Sequence, residues 1–237
     1  MSQQDIVLKL FEFVILLFAL STHEAAHAWM ASRLGDQTAR MLGRVTLNPI
    51  KHIDPFGTVL IPLAMLFLPG YGRFLIGWAK PTPVNTRNFK QIVRDDVLTT
   101  LAGPVSNIVI ALASMAGLLI LESTSAQGKL AVVVAVFTAN HVQVPMEGPL
   151  PAMFPIAMLF YLGVLLNLFL AVFNLLPLPP LDGSHILRHM LPYNWVRYYD
   201  SLGMISLILM IFVGARVVNI FVSPALDAVN RMLLPSM

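Results

Sequence analysis

Long runs of apolar residues, separated by short polar stretches, dominate the chain. The first run extends from about residue 5 past residue 27, and a helix of that length exceeds about 30 Å at about 1.5 Å per residue. Further long runs cover about residues 97–121, 156–176 and 201–222. Each can cross the hydrocarbon core of a bilayer as a helix. The pattern therefore predicts an all-α, multi-pass membrane protein, a helical bundle of about four to six transmembrane segments.

Two shorter apolar stretches do not fit a membrane-spanning helix. Residues 58–68 number only eleven and have basic residues on both sides, so both ends are expected on one side of the membrane. They predict a re-entrant hairpin packed against protein, with short β-strands at 44–47 and 74–76 beside it. Residues 130–139 are expected not to cross, because a crossing would put the later polar residues on the opposite side from the first histidine pair.

The composition supports a membrane location. Of the 237 residues, 57% are hydrophobic and 11% are charged, whereas about 25% are charged in ordinary soluble domains. No stretch is polar enough to form a second domain, so we expect one domain over residues 1–237, in contact with the lipid bilayer. The net charge of +3 is small, and no nucleic-acid partner is expected. The chain has no cysteine, so any metal must be bound by histidine and carboxylate side chains.

The distribution of the basic residues indicates how the helices are oriented. Nine of the 15 lysine and arginine residues lie within residues 33–94, and two more, Arg188 and Arg197, follow the run at 156–176. By the positive-inside rule these segments are cytoplasmic, which puts the N-terminus outside and residue 23 near the cytoplasmic face. A bacterial inner membrane is the favoured location, since the chain has no cysteine and a short N-terminus.

A histidine pair near the end of the first apolar run carries the strongest chemical signal. His23 and His27 are four residues apart, so a helix presents both on one face, where they can bind one metal ion. Glu24 lies between them, at the position of the general base in zinc proteases that carry this five-residue pattern. The pattern predicts one zinc ion per chain and a zinc-bound water that is activated by Glu24.

A catalytic zinc site needs a third protein ligand, which leaves one position for water. After the histidine pair, the next glutamates are Glu122 and Glu147, both in a loop predicted on the other side of the membrane. Asp182 ends a long apolar run at the same depth as the histidines. A carboxylate at that depth is costly unless it binds a metal ion or another partner. Asp182 is therefore the predicted third ligand, with His185 and Asp54 as the alternatives.

Two further features lie at the same depth. Asn107 is ten residues into the run 97–121, just after an interruption expected at Ala102-Gly103-Pro104, and is predicted to donate a hydrogen bond to the oxyanion or to the substrate backbone. It could instead cap backbone groups that Pro104 leaves without a partner. The proline-rich residues 177–180 could expose backbone that pairs with an extended substrate, or they could simply end the preceding helix.

Three motifs together resemble the site-2 protease family of intramembrane zinc metalloproteases. They are His-Glu-Ala-Ala-His at 23–27, Ala-Gly-Pro-Val-Ser-Asn at 102–107 and Asn-Leu-Leu-Pro-Leu-Pro-Pro-Leu-Asp-Gly at 174–183. The resemblance implies a helical core with zinc held by His23, His27 and Asp182, Glu24 as base and an asparagine that assists at the oxyanion. It also implies regulated cleavage of membrane-anchored substrates. No PDZ or CBS domain is visible, which indicates a minimal member of the family.

The predicted function is a zinc-dependent intramembrane endopeptidase whose partner is a transmembrane protein substrate. One alternative is a transporter or ion pathway that uses the same histidines and carboxylates, but it does not account for Glu24 between the two histidines. Another is a catalytically silent member that binds membrane partners. The intact Glu24 and the complete predicted ligand set argue against it. The sequence makes no prediction about the oligomeric state.

Overall fold

The computed structural model describes residues 3–67, 77–142, 149–203, 206 and 215–234. Within these ranges the chain forms nine α-helices: α1 Gln3–Leu34, α2 Thr38–Met41, α3 Ile61–Phe67, α4 Ile92–Thr124, α5 Ala126–Ala139, α6 Phe154–Asn174, α7 Asp182–Met190, α8 Tyr193–Ser201 and α9 Ala215–Leu233. Short 3-10 turns occur at Pro49–Lys51 and Thr86–Asn88, and a π-helical turn at Pro55–Leu60 leads into α3.

Three helices in the described part are long and apolar enough to cross a membrane: Ile6–Leu34, Ile92–Thr124 and Phe154–Asn174. The prediction of an all-α, multi-pass membrane protein is confirmed. The fourth predicted span, 201–222, falls partly outside the described residues, so the number of crossings stays a prediction. The expected interruption at Pro104 is absent, since α4 continues through this residue as one helix.

The short strand predicted at 44–47 is not formed, and no residue in the described ranges belongs to a β-strand. The buried side chain of Arg44 donates to the carbonyl oxygens of Lys51 and Pro81. The carbonyl of Thr46 is occupied as well, since Nε2 of His52 lies 2.9 Å from it. These side chains bind the loop to itself and to a neighbouring loop, and 44–47 follows a bent path instead of pairing as a strand.

The other two predicted features of this region lie at the edge of the described residues. The companion strand at 74–76 is outside them. The re-entrant hairpin predicted at 58–68 is helical as far as it is described, with the π-helical turn followed by α3, and its return limb also lies outside. The hairpin therefore stays a prediction.

Helices α4 and α6 run antiparallel and form the centre of the bundle. Asn107 contacts Asn167 near one end, and Gly117 lies against the ring of Phe160 nearer the other. At Gly163 the two helices approach so closely that a Cβ atom would lie 2.6 Å from the hydroxyl oxygen of Ser114. Small residues permit this kind of close crossing in membrane proteins.

Helix α5 contains residues 130–139, which are predicted not to cross the membrane. Its 14 residues make about 21 Å, less than the hydrocarbon core of about 30 Å. It packs its small and β-branched side chains against α4 and α6. At its C-terminal end, Asn140 donates to the hydroxyl of Tyr161 at 2.9 Å. Because α4 and α6 remain antiparallel, residue 182 returns to the end of the bundle that contains residue 23.

The link between α6 and α7 is a compact loop that ends at Asp182. Leu176 and Leu181 are buried, and Leu181 donates its backbone N–H to the carbonyl of Leu178. Gly183 lies so close to the backbone of Leu175 that a Cβ atom would come within 2.2 Å of its carbonyl oxygen. This contact presses the start of α7 against the end of α6 and determines where Asp182 lies.

Candidate metal centre

Two helices bring three ligand-type atoms together at one point. His23 and His27 lie one turn apart on α1, and Asp182 is the first residue of α7. The Nε2 atoms of the two histidines are 3.0 Å apart. Oδ2 of Asp182 lies 3.0 Å from Nε2 of His23 and 3.3 Å from Nε2 of His27. Among the described residues, this trio forms the one group of three or more such side chains that could hold a metal ion.

Hydrogen bonds on the far side of each ring determine which nitrogen carries the proton. Nδ1 of His27 lies 2.7 Å from the carbonyl oxygen of Thr99, and Nδ1 of His23 lies 2.6 Å from Oδ1 of Asn107. Both oxygens can only accept, so each Nδ1 donates a proton, and in the neutral imidazole each Nε2 then presents its lone pair. The two imidazoles therefore aim electron pairs at each other and at the Asp182 carboxylate.

This arrangement fits a zinc ion. Three acceptors at 3.0–3.3 Å with no proton between them repel one another unless a cation lies among them. In the described part of the chain, the buried Oδ2 of Asp182 has no hydrogen-bond donor, which is the expected state of a metal-ligating oxygen. Neighbouring ligands of a tetrahedral zinc are about 3.3 Å apart when the bonds are about 2.0–2.1 Å.

Gly103 on α4 provides the room for the two histidine rings. A Cβ atom at this position would lie 2.4 Å from Nε2 of His27 and 2.6 Å from Cε1 of His23. No side chain larger than hydrogen fits there while the rings stay in place. The sequence interpretation treated this stretch as a helix interruption at Pro104, and the role of Gly103 emerges only when α4 is packed against α1.

Glu24 is held by an extended segment that we call the strap, residues 77–85. Oε2 of Glu24 accepts the backbone N–H of Thr82 at 2.7 Å, and the Thr82 hydroxyl donates to the carbonyl of Glu24 at 3.0 Å. The strap is anchored on one side by N–H groups of Trp78 and Lys80, which donate to loop carbonyls at 3.2 and 2.9 Å. Sequence reasoning missed Thr82, because no motif links it to a residue far earlier in the chain.

Asp36 anchors the other end of the strap. It is fully buried just beyond α1, and its carboxylate accepts the backbone N–H of Asn85 at 2.8 Å and the side-chain amide of Asn88 at 2.7 Å. Burial by itself would raise the pKa of Asp36, but these hydrogen bonds and those from Thr38 hold it below its usual value. The carboxylate therefore stays charged and keeps the strap against α1.

Asn107 lies at the centre of the bundle and contacts a metal ligand. It is fully buried, and its Oδ1 faces His23 while its Nδ2 donates to Oδ1 of Asn167 at 2.8 Å. The structure thus brings Asn107 to the site, as the sequence analysis expected, but with its amide engaged by two other side chains. Its role at the oxyanion stays a prediction.

The alternative third ligands are engaged elsewhere. Oδ1 of Asp54 caps the π-helical turn by accepting the backbone N–H groups of Phe56 and Gly57. His185 is largely exposed, and its Nδ1 lies 3.9 Å from Oδ2 of Asp96. The neighbouring His189 approaches the same oxygen to 2.6 Å through Nε2. These contacts connect α7 to the start of α4 and are separate from the metal centre.

An apolar groove of about 540 Å³ lies beside the metal centre. It is bounded by α1, by the loop 45–47 and by α4. Ala25 and Ala26, between the two histidines, form part of its wall, and Ala102 and Ser106 contribute from α4. The groove therefore runs along the face of α1 that carries Ala25 and Ala26, beside the face that carries the histidine pair.

A family model described as peptidase family M50 matches residues 11–213, which is most of the chain. The chain belongs to this family, the site-2 proteases. It is therefore a zinc metalloprotease and a membrane protein, in agreement with its long apolar helices.

Curated relatives of this M50 member carry matching names. It is 39% identical over 179 residues to "Putative zinc metalloprotease YwhC" of Bacillus subtilis, covering 76% of this chain and 68% of that protein. It is 28% identical over 186 residues to a Rip2 of Mycobacterium tuberculosis, covering 74% of this chain and 56% of the relative. A Rip2 of Mycolicibacterium smegmatis is 34% identical over 95 residues, which are 40% of this chain and 34% of the relative. No solved structure matches the chain significantly.

Proposed function

We propose that this M50 member is an intramembrane endopeptidase, which hydrolyses peptide bonds in or near the transmembrane segments of membrane-anchored proteins. Zinc is held by His23, His27 and Asp182, one ion per chain. The observation that carries the proposal is the convergence of two imidazole nitrogens and a carboxylate oxygen inside a bundle of apolar helices. The adjoining groove supports the choice of substrate, because its apolar walls match an apolar peptide segment.

Zinc, when bound, supplies Lewis-acid chemistry that activates water and polarises a carbonyl group. The protons are transferred by a side chain of the protein. Glu24 takes a proton from the attacking water and returns it to the leaving amine. The backbone N–H of Thr82 holds one oxygen of the Glu24 carboxylate, which orients the base before substrate arrives.

We propose that the substrate reaches these groups from the groove. A peptide in the groove would lie against Ala25 and Ala26, on the face of α1 next to the histidine pair, and its backbone would extend from there to the metal centre. A substrate helix must unwind locally for this, because its carbonyl groups are otherwise hydrogen-bonded within the helix. Nine of the 15 lysine and arginine residues lie within 33–94, which supports a metal centre that faces the cytoplasm.

Glu24→Gln tests the function directly. The amide keeps the size of the side chain but cannot accept the proton, so we expect normal zinc content and no cleavage of a model transmembrane substrate. Zinc is measured by mass spectrometry on detergent-purified protein, and cleavage is assayed on the same samples. Glu122→Gln, at the far end of α4, is the matched control and should cleave like the wild type.

Full cleavage by Glu24→Gln would overturn the proposed role of the base. Wild-type protein that binds zinc, cleaves none of a panel of transmembrane substrates and conducts ions in vesicles would instead identify a transport function.

A further inference from the structure

A chain of side-chain amides connects α6 to the metal ligand His23. Asn167 on α6 donates through Nδ2 to the carbonyl oxygen of Gly163 at 2.8 Å. Its Oδ1 accepts from Nδ2 of Asn107 at 2.8 Å, and Oδ1 of Asn107 lies 2.6 Å from Nδ1 of His23. Both asparagines are at most 1% exposed. Burying an amide at membrane depth is costly unless it is hydrogen-bonded, and both amides meet this condition through one another, Gly163 and His23.

The direction of every hydrogen bond in this series of amides follows from the end at the Gly163 carbonyl. The Gly163 carbonyl can only accept, so Asn167 must turn its NH2 group toward it and its oxygen toward Asn107. Asn107 must then turn its NH2 group toward Asn167, and its second N–H points to the carbonyl of Ala19 at 3.5 Å. The oxygen of Asn107 is left facing His23, whose Nδ1 must carry the proton.

The two histidine ligands thus reach the same tautomer by different routes. His27 donates directly to a main-chain carbonyl, that of Thr99. His23 depends on two side chains from two other helices, and the second of them does not touch the metal centre. The close approach of α4 and α6 at Gly163 and Ser114 brings the two asparagines within hydrogen-bonding distance.

We propose that Asn167 is a positioning residue of the metal centre, which acts through Asn107 to set the tautomer and ring orientation of His23. The inference rests on the proposed zinc site. Without Asn167 the Asn107 amide can rotate and present its NH2 group to His23, which moves the proton to Nε2 and removes a ligand lone pair. Partners of ligating histidines typically change metal affinity about 10- to 100-fold.

Zinc affinity, measured by chelator competition on purified protein, tests this role independently of cleavage. We expect Asn167→Leu to weaken zinc binding about 10- to 100-fold and excess zinc to restore most of its cleavage. Asn174→Leu is the matched control, since Asn174 lies on the same helix and donates to the carbonyl of Leu170 four residues earlier. Its zinc affinity should equal that of the wild type.

A conservative variant distinguishes orientation from packing. Protonated Asp in Asn167→Asp can donate to Gly163 and accept from Asn107, so its zinc affinity should stay within about threefold of the wild type. If Asn167→Leu does not purify as folded protein, Asn167→Thr serves the same test. Its hydroxyl reaches the Gly163 carbonyl but not Asn107, so weakened zinc binding is again expected.

Wild-type zinc affinity in folded Asn167→Leu or Asn167→Thr would overturn the proposal. It would also be overturned if Asn167→Leu and Asn174→Leu lost the same amount of zinc affinity. Failure of the proposed protease function has a different signature. In that case the wild type binds zinc but cleaves no transmembrane substrate, and the affinity comparison among the variants still stands.

Discussion

The two halves of the helical bundle differ in what their buried side chains do, although α4 and α6 run through both. In the metal half, around His23 and Asn107, buried polar groups hydrogen-bond between helices, beside apolar side chains such as Leu20 and Leu170. In the apolar half, around Leu118, Val132 and Leu162, buried hydrocarbon side chains pack among α4, α5 and α6. We infer that the metal half orients the metal ligands and that the apolar half stabilises the folded bundle. Substitutions in the metal half should therefore reduce zinc affinity, whereas those in the apolar half should reduce stability.

The largest effect is expected where the metal half loses a ligand. Asp182→Ala removes the one carboxylate of the trio and leaves two neutral imidazoles, too few for a catalytic zinc site. We expect zinc to be lost from the purified protein and cleavage to fall at least about 1000-fold. Full zinc occupancy in this variant would show that another residue completes the site, and the ligands assigned to the metal half would be wrong.

The same substitution at two glycines of α4 sharpens the comparison. In Gly103→Ala the new methyl group would overlap the imidazole rings, so we expect zinc affinity to fall by at least about 100-fold. In Gly117→Ala it would meet the ring of Phe160 at 2.8 Å, which can shift at a cost of about 1–3 kcal/mol of stability. Zinc titration and thermal unfolding in detergent measure both. Unchanged zinc binding by Gly103→Ala would contradict the assigned geometry.

A cavity in the apolar half should reduce stability alone. Leu118 is fully buried, and Leu118→Ala is expected to lower the free energy of unfolding by about 2–5 kcal/mol. Zinc affinity of the folded fraction should remain that of the wild type, because no hydrogen bond of the metal half involves this residue in the described structure. A parallel loss of zinc affinity would show that the two halves are coupled.

The smallest effect is expected at the contact that ties α7 to α4. His189→Leu removes the partner of Asp96 and lets α7, which carries Asp182, move more freely. We expect zinc binding to weaken several-fold, corresponding to about 1 kcal/mol. His185→Leu is the control, because His185 is mostly exposed and 3.9 Å from the same carboxylate. Equal effects of the two variants would count against a specific role for His189.

Local patterns in the sequence were sufficient for the parts of the site that lie on one helix. The spacing of His23 and His27 predicts their common face, and the apolar run around them predicts a membrane helix. Asp182 could be selected by elimination, since the chain has few carboxylates and one of them closes an apolar run at the right depth. The bend at 44–47 could not be predicted, because it depends on Arg44 reaching one carbonyl group of its own loop and one of the strap.

The sequence by itself thus determined the long apolar helices and the histidine pair with Glu24 between its members, since helical periodicity and hydrophobic length act over a few neighbouring residues. Only the tertiary structure decided which nitrogen of His23 carries the proton, why Gly103 must be glycine and what holds Glu24. Each of these depends on a hydrogen bond or a contact of a few ångströms between residues distant in the chain. Such distances result from the packing of whole helices, which no short sequence pattern encodes.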